Sequence, residues 1–364
     1  MGGKTMFMKI ISVNTRLQKL PLTKPYTIAY KTITDTEIVF LEIKLENGIV
    51  GIGASNPFED VVGETPAKTL LNLQTDFVQQ LVGKDIRYFN QLIDEATIHF
   101  PHLPGTIAAI DIALHDAFCQ FIKIPVVDLY GRKIKALPTS ITIGIKATTA
   151  MIEEAKANYS AGFRILKIKT GLNVEEDIER VAKITETFKD KMRIRVDANQ
   201  GYTLGQLQHF IQQTKELNIE LIEQPLPVGK EFQLKQLNED ERKILAADES
   251  LLNANTAMQL AHIPKPFGIF NIKLMKCGGI KGAAAIATIA KHVGIDLFWG
   301  CNDESVASIS AALHIAYACS NTKYLDLDGS FDLSKDLVEG GFIVKEGFLY
   351  CNELPGLGLK RTNS

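Results

Sequence analysis

The stretches Lys167-Ile168-Lys169, Asp197-Ala198-Asn199, Glu223-Gln224-Pro225, Asp248-Glu249-Ser250 and Asn271-Ile272-Lys273 each close an apolar run. From Lys169 onward their lead charges lie 28, 26, 25 and 25 residues apart, which is the length of one strand plus its crossover helix. Strand-like runs begin at Thr139, Ile165, Ile194, Ile219, Ile244, Ile269, Ile295 and Tyr324, and helix-length segments such as 151–159, 174–188 and 282–292 lie between them. Eight such units predict an α/β fold of the (β/α)8 TIM type, and a doubly wound open sheet is the rival on pattern alone. In a closed barrel every one of these charges sits at the C-terminal ends of parallel strands, facing one mouth.

Working outward, residues 7–53 read as a β-meander with the turn Glu46-Asn47-Gly48. Helical stretches follow, one from Thr65-Pro66 to about Gly83 and a mostly apolar one from about Gly105 to Phe121. The division expected is an α+β capping domain over 1–135, the barrel over 136–328, and a C-terminal segment over 329–364 that returns to the cap through a hairpin near Phe342 and Phe348. At 364 residues, two lobes are what core size predicts.

A net charge of −2 and no basic block give no reason to expect nucleic acid. No apolar run approaches the roughly 20 residues of a membrane span. The N-terminus lacks a signal-peptide core, and Met6 stands where a myristoylation signal wants Ser or Thr. Five scattered cysteines without a CxxC fit a reduced, cytoplasmic protein. Gly278-Gly279-Ile280-Lys281-Gly282 departs from a dinucleotide-binding GxGxxG and reads as a tight strand-to-helix turn.

Asp197, Glu223 and Asp248 end three consecutive strands. Each alone reads equally well as a helix cap. Three converging carboxylates without His or Cys suit Mg²⁺, whose charge relieves their mutual repulsion. Asn199, Gln224 and Glu249, one or two residues beyond, are candidates to orient those ligands, although strand alternation points Glu249 away from Asp248.

Lys167 and Lys169 share one strand face, and their repulsion is expected to lower their pKa towards that of a usable base. Lys273 ends a strand four units from Lys169, diametrically opposite in a ring of eight. Two bases flanking a metal-held substrate suit 1,1-proton transfer, that is racemisation or epimerisation. A Schiff-base lyase using Lys169 or Lys273, and a metal-binding barrel without activity, are the readings from other classes.

The Lys-Ile-Lys strand, Asp-Ala-Asn-Gln-Gly-Tyr (197–202), Glu-Gln-Pro, Asp-Glu-Ser and Lys-Leu-Met-Lys-Cys-Gly-Gly (273–279) together resemble, in order and spacing, the muconate-lactonizing subgroup of the enolase superfamily. The resemblance covers the whole chain. It implies Lys169 and Lys273 as the acid/base pair, Lys167 as support for the enolate, and Asp197, Glu223 and Asp248 as the ligands of one Mg²⁺.

The eighth run ends in Asp326-Leu327-Asp328, whose aspartates share a face by alternation and so call for a cation in the substrate. Within the subgroup this pattern resembles the dipeptide epimerases, in which such a pair holds the α-ammonium and the C-terminal residue is inverted. A small-molecule dipeptide is therefore the expected partner, with a possible homo-oligomer. Cap loops near residues 21–33 and 55–60 are expected to read the second side chain, through Tyr26, Lys31 and Phe58. Lys31 stands where an epimerase of Ala-Glu is expected to present arginine, and no arginine lies between Arg16 and Arg87. The expectation is an apolar second residue. The rivals are L-Ala-D/L-Glu epimerase, N-acylamino acid racemase, cycloisomerase and o-succinylbenzoate synthase.

Overall fold

A computed structural model of the chain describes residues 7–28 and 31–362, apart from the side chains of Ile28 and Lys31. Strands β1 (Ile10–Ile28), β2 (Lys31–Leu45) and β3 (Val50–Ser55) form an antiparallel sheet in chain order. The turn between β2 and β3 is closed by Gly48 N–H on the Leu45 carbonyl, as the Asn-Gly pair predicts. Against this sheet lies the helix Pro104–Ile122, with both its sides covered. That is why its sequence is apolar nearly all round. It is the one described helix long and apolar enough to cross a membrane, and 78% of it is buried inside the fold. Close approach explains two glycines: a Cβ on Gly53 would lie 2.0 Å from the Ala109 carbonyl oxygen, and one on Gly51 2.3 Å from that of Ala113. The stretch expected as one helix from Thr65 breaks into Pro66–Leu73 and Asp76–Gln79, because Thr75 adopts extended backbone.

A short strand β4 (Leu137–Pro138) leads into the second lobe. There β5 (Ile141–Ile143), β6 (Ile165–Lys169), β7 (Arg193–Asp197), β8 (Ile222–Glu223), β9 (Leu245–Ala247), β10 (Ile269–Ile272), β11 (Asp296–Trp299) and β12 (Thr322–Leu325) form one eight-stranded sheet in strict sequential order, all parallel. A parallel bridge between Thr139 and Leu325 joins its two ends and closes the ring. The expected (β/α)8 pattern is modified in one respect. No helix follows β12, and the chain runs instead into β13 (Val338–Gly340).

Beyond β12, residues 333–338 run along the cap, where Leu333 bridges Leu22 and Val338 packs with Leu20, Ile38 and Phe40. The hairpin of β14 (Phe342–Lys345) and β15 (Phe348–Cys351) pairs with β4 rather than with the cap sheet. β13 pairs with β16 (Leu359–Arg361). Asp111 on the long cap helix accepts the N–H groups of Ile280 at 2.7 Å and Lys281 at 3.1 Å, capping the barrel helix Ile280–His292. The Gly278-Gly279 turn therefore presents its helix N-terminus to a carboxylate of the protein, not to a nucleotide phosphate.

Inside the ring, Leu221, Ala246, Ile269 and Phe298 form a plug. Each stands two residues before a mouth position (Glu223, Asp248, Asn271, Gly300) and so shares its face one pleat lower. Apolar below and charged above, the barrel interior becomes a floor with a reactive mouth.

Candidate active site

β6, β7 and β8 are in register so that Lys169 pairs with Asp197 and Asp197 with Glu223. The charges of three adjacent strands therefore stand side by side at the mouth. Lys169 Nζ donates to Asp197 Oδ2 at 2.6 Å and Asn199 Oδ1 at 3.1 Å. Lys167, one pleat deeper, reaches the carboxylates of Asp326, Glu223 (3.4 Å) and Asp197 (3.6 Å). Lys273, just past the end of β10 on the opposite side of the ring, lies 2.7 Å from Asp248 Oδ2.

For Lys167 the expected depression of the pKa is not what the surrounding charges produce. Burial lowers Lys167, but Asp326, Glu223 and Asp197 outweigh it and hold it well above its ordinary value. Burial also lowers Lys273, yet Asp248 and Glu223 carry it above the usual lysine range. Carboxylates, not a second ammonium, are the nearest charged neighbours.

The three acids divide. Burial raises Asp197, but Lys169 and Lys167 outweigh it and hold it below the usual range. Asp248 is held well below, against burial, by Lys273 and Lys276. Glu223 is pushed well above by burial and by the Asp197 carboxylate. Lys167 reaches both Asp197 and Glu223, and among the described residues the three acids do not draw together as a closed ligand cluster. The donor set still fits a hard divalent cation. It is all oxygen, the Asp197 carboxylate beside Glu223 helps push it up despite Lys167, and Glu249 Oε2 and Asn271 Oδ1 are buried without a hydrogen-bond partner.

Glu249 lines the same side of the mouth as Asp248, contrary to strand alternation. β9 ends at Ala247, so the pleat no longer sets the direction of Glu249. Asn199 Nδ2 reaches Glu249 at 3.4 Å. Gln224, buried and at φ 33°, uses its side-chain oxygen to accept Asp248 N–H (3.0 Å) and Ser250 N–H (3.2 Å). It thereby ties the tips of β8 and β9 together.

Asp326 and Asp328 both line a cavity of about 700 Å³ that also reaches Lys167, Lys169 and Lys273. Asp326 accepts from Ser140 Oγ (2.5 Å) and from Lys167, whereas Asp328 accepts the backbone N–H of Thr142 (2.7 Å) and is also bonded by the Thr142 side chain. Burial and the Asp326 carboxylate push Asp328 up to about 7. Burial, Asp248 and Asp197 push Glu249 up to about 7 as well. These two acids form no ion pair among the described residues. The mouth thus has places for further positive charge on both flanks.

A second cavity of about 390 Å³ lies between the cap and the same lysines. Phe58 lines it, with Ile33 and Val61, and so do the acidic residues Asp35, which pairs with Lys19 at 3.2 Å, Glu37, Glu59 and Asp60. Tyr26 lines both cavities and donates to Asp303 Oδ2 at 2.9 Å. The side chain of Lys31 lies outside the described residues. The lining differs from the apolar pocket expected: the cap supplies four carboxylates there and no described basic side chain.

Sequence reasoning missed Asp303, Asn271, Lys276 and Gly300. Asp303 sits in the loop after β11, whose residue 303 carbonyl accepts from Thr36 (3.0 Å) and Asn56 (2.7 Å) of the cap. Nothing in its own sequence context marks it. Gly300 is needed for space, because a Cβ there would lie 2.6 Å from Asn271 Oδ1 and 3.1 Å from Lys273 Cε. Gly300→Ala is expected to lower kcat about 100-fold by displacing Lys273, with the melting temperature little changed; steady-state kinetics beside a thermal melt checks this.

Family models match over most of the chain: mandelate racemase / muconate lactonizing enzyme, N-terminal domain, over residues 10–131, and enolase C-terminal domain-like over residues 150–362. The chain is 51% identical over 354 residues to an L-Lys-D/L-Arg epimerase of Desulforapulum autotrophicum, covering 97% of this chain and 100% of that one. It is 35% identical to a hydrophobic dipeptide epimerase of Enterococcus faecalis, covering 97% and 99%. A crystal structure of a dipeptide epimerase from Methylococcus capsulatus, complexed with Mg and the dipeptide L-Arg-D-Lys, superposes with a TM-score of 0.95 at 46% identity, covering 96% of this chain and 99% of that one. By both of its lobes, the chain belongs to the mandelate racemase / muconate lactonizing enzyme family of the enolase superfamily.

Proposed function

We propose that this protein is a Mg²⁺-dependent dipeptide epimerase that inverts the α-carbon of the C-terminal residue, acting on dipeptides whose second residue is basic. The observation that carries the reading is the charge of the second cavity, where Asp35, Glu37, Glu59 and Asp60 flank Phe58, Ile33 and Val61. A lysine or arginine side chain suits such a lining, with its stem on the apolar surface and its head among the acids. A glutamate side chain is repelled by it, which counts against Ala-Glu. The relatives named for Lys and Arg dipeptides, at 51% and 46% identity, support the basic reading over the apolar one.

Asp197, Glu223 and Asp248 are the residues that would hold Mg²⁺, which when bound stabilises negative charge developing on a substrate carboxylate. Asp328, with Asp326 beside it, meets the α-ammonium. Lys169 and Lys273, across the ring from each other, address the two faces of the α-carbon, one removing its proton and the other returning one. Lys167, anchored by Asp326 and Glu223, keeps positive charge beneath the developing enediolate. Five cysteines, none in a disulfide, suit a reducing cytoplasm.

Incubating the enzyme and Mg²⁺ with an L,L-dipeptide library in D₂O, read by mass spectrometry, tests the proposal. Deuterium at the second residue of dipeptides ending in Lys or Arg is the expected result. Exchange confined to apolar second residues would overturn the pocket assignment, and no exchange in any dipeptide would overturn the reaction.

A further inference from the structure

Lys276 lies one helical turn past Lys273, on the short helix Leu274–Cys277, and is 5% exposed. Its ammonium contacts Asp248 Oδ1, the Asp248 carbonyl oxygen, and the Asn271 carbonyl oxygen at 3.2 Å. All three N–H donors of the group therefore have acceptors. Asp248 is shared between two lysines: Lys276 holds Oδ1 and Lys273 meets Oδ2. Asn271, whose carbonyl Lys276 also holds, donates its side-chain N–H to Glu223 Oε1 at 2.6 Å. One buried ammonium thus bears on two of the three candidate metal ligands.

We infer that Lys276 is a positioning residue for the proposed reaction. It turns Asp248 so that Oδ2 alone faces the mouth, and fixes Asn271 so that its amide presents Glu223. It takes no proton to or from the substrate. An ion pair buried this completely is weak evidence for stabilisation, because desolvating both charges offsets most of their attraction. A role in orientation accounts for it better than a role in folding. Without Lys276, Asp248 is free to rotate and to present both oxygens to Lys273, so ligand geometry and the proton transfer served by Lys273 are disturbed together.

The inference rests on the reading that Asp248 binds the metal, and a double-mutant cycle separates the two. Mg²⁺ affinity is measured by calorimetry for wild type, Lys276→Met, Asp248→Asn and the double variant, with circular dichroism and melting temperature as folding controls. Lys276→Met is expected to weaken Mg²⁺ binding about 10- to 100-fold, and to add little in the Asp248→Asn background. At saturating Mg²⁺, deuterium exchange from the face served by Lys273 is expected to fall more than exchange from the Lys169 face. Wild-type Mg²⁺ affinity and equal exchange on both faces in Lys276→Met would overturn the inference. An unchanged affinity in Asp248→Asn would instead overturn the ligand assignment beneath it. If Lys276→Met does not fold, Lys276→Gln, which keeps a donor but no charge, is held to the same comparison.

Discussion

Replacing Lys169 or Lys273 with alanine is expected to lower epimerisation by roughly 10²–10⁴-fold in each case, the range lost with a positioned acid or base. The more telling result concerns exchange. Each variant should still wash deuterium into one epimer of the dipeptide, the one whose α-proton faces the surviving lysine, and should leave the other epimer unlabelled. The two variants should therefore be mirror images. This follows from topology: Lys169 ends β6 and Lys273 follows β10, four strands apart in a closed ring of eight. Proton NMR in D₂O on both epimers checks it. Labelling of both epimers at the parental rate by either variant would sink the two-base scheme.

Removing the charge of Asp328 is expected to raise KM for dipeptides by about 2–4 kcal/mol, roughly 30- to 900-fold, with a smaller change in kcat. Asp326→Asn should behave differently, because Asp326 also holds Lys167 and its loss lowers kcat as well. The pH dependence is a second signature. Burial and Asp326 raise Asp328 to about 7, so it is increasingly protonated below that pH and then offers no charge to an ammonium. On this account kcat/KM, which reports the free enzyme, falls as pH drops from 8 to 6, and Asp328→Asn lacks that limb. A wild-type profile that Asp328→Asn leaves unaltered would remove Asp328 from the site.

The ring order and the mouth were legible in the chain because both are periodic. A charge that ends an apolar run every 25 to 28 residues needs only parallel, sequential strands to converge. Lys169, Asp197, Glu223, Asp248 and Lys273 were therefore found by position, and β5 to β12 fall where the apolar runs lie. Asp326 and Asp328 were also found from the eighth run, and although both lie past the end of β12 at Leu325 they line one cavity.

Glu249 and Lys276 did not obey that logic. Past Ala247 the pleat stops, so Glu249 turns into the mouth beside Asp248 where alternation sends it away. Lys276 owes its place to one turn of helix after Lys273, which brings its ammonium onto Asp248. The direction of the Lys167 pKa was likewise not legible from the lysine spacing, because the acids facing Lys167 lie 30 to 159 residues away in sequence. The proposed substrate preference depended on the docking of a second lobe. Asp35, Glu37, Glu59 and Asp60 are ordinary surface acids until the cap sheet, clasped to the barrel through Asp111 and the residue 303 carbonyl, places them along one cavity wall. By itself the sequence determined which residues end the barrel strands, and so the reaction type, because strand periodicity is a local property of the chain. Only tertiary structure decided what each charge faces, because electrostatic environment is set by neighbours that no local pattern records.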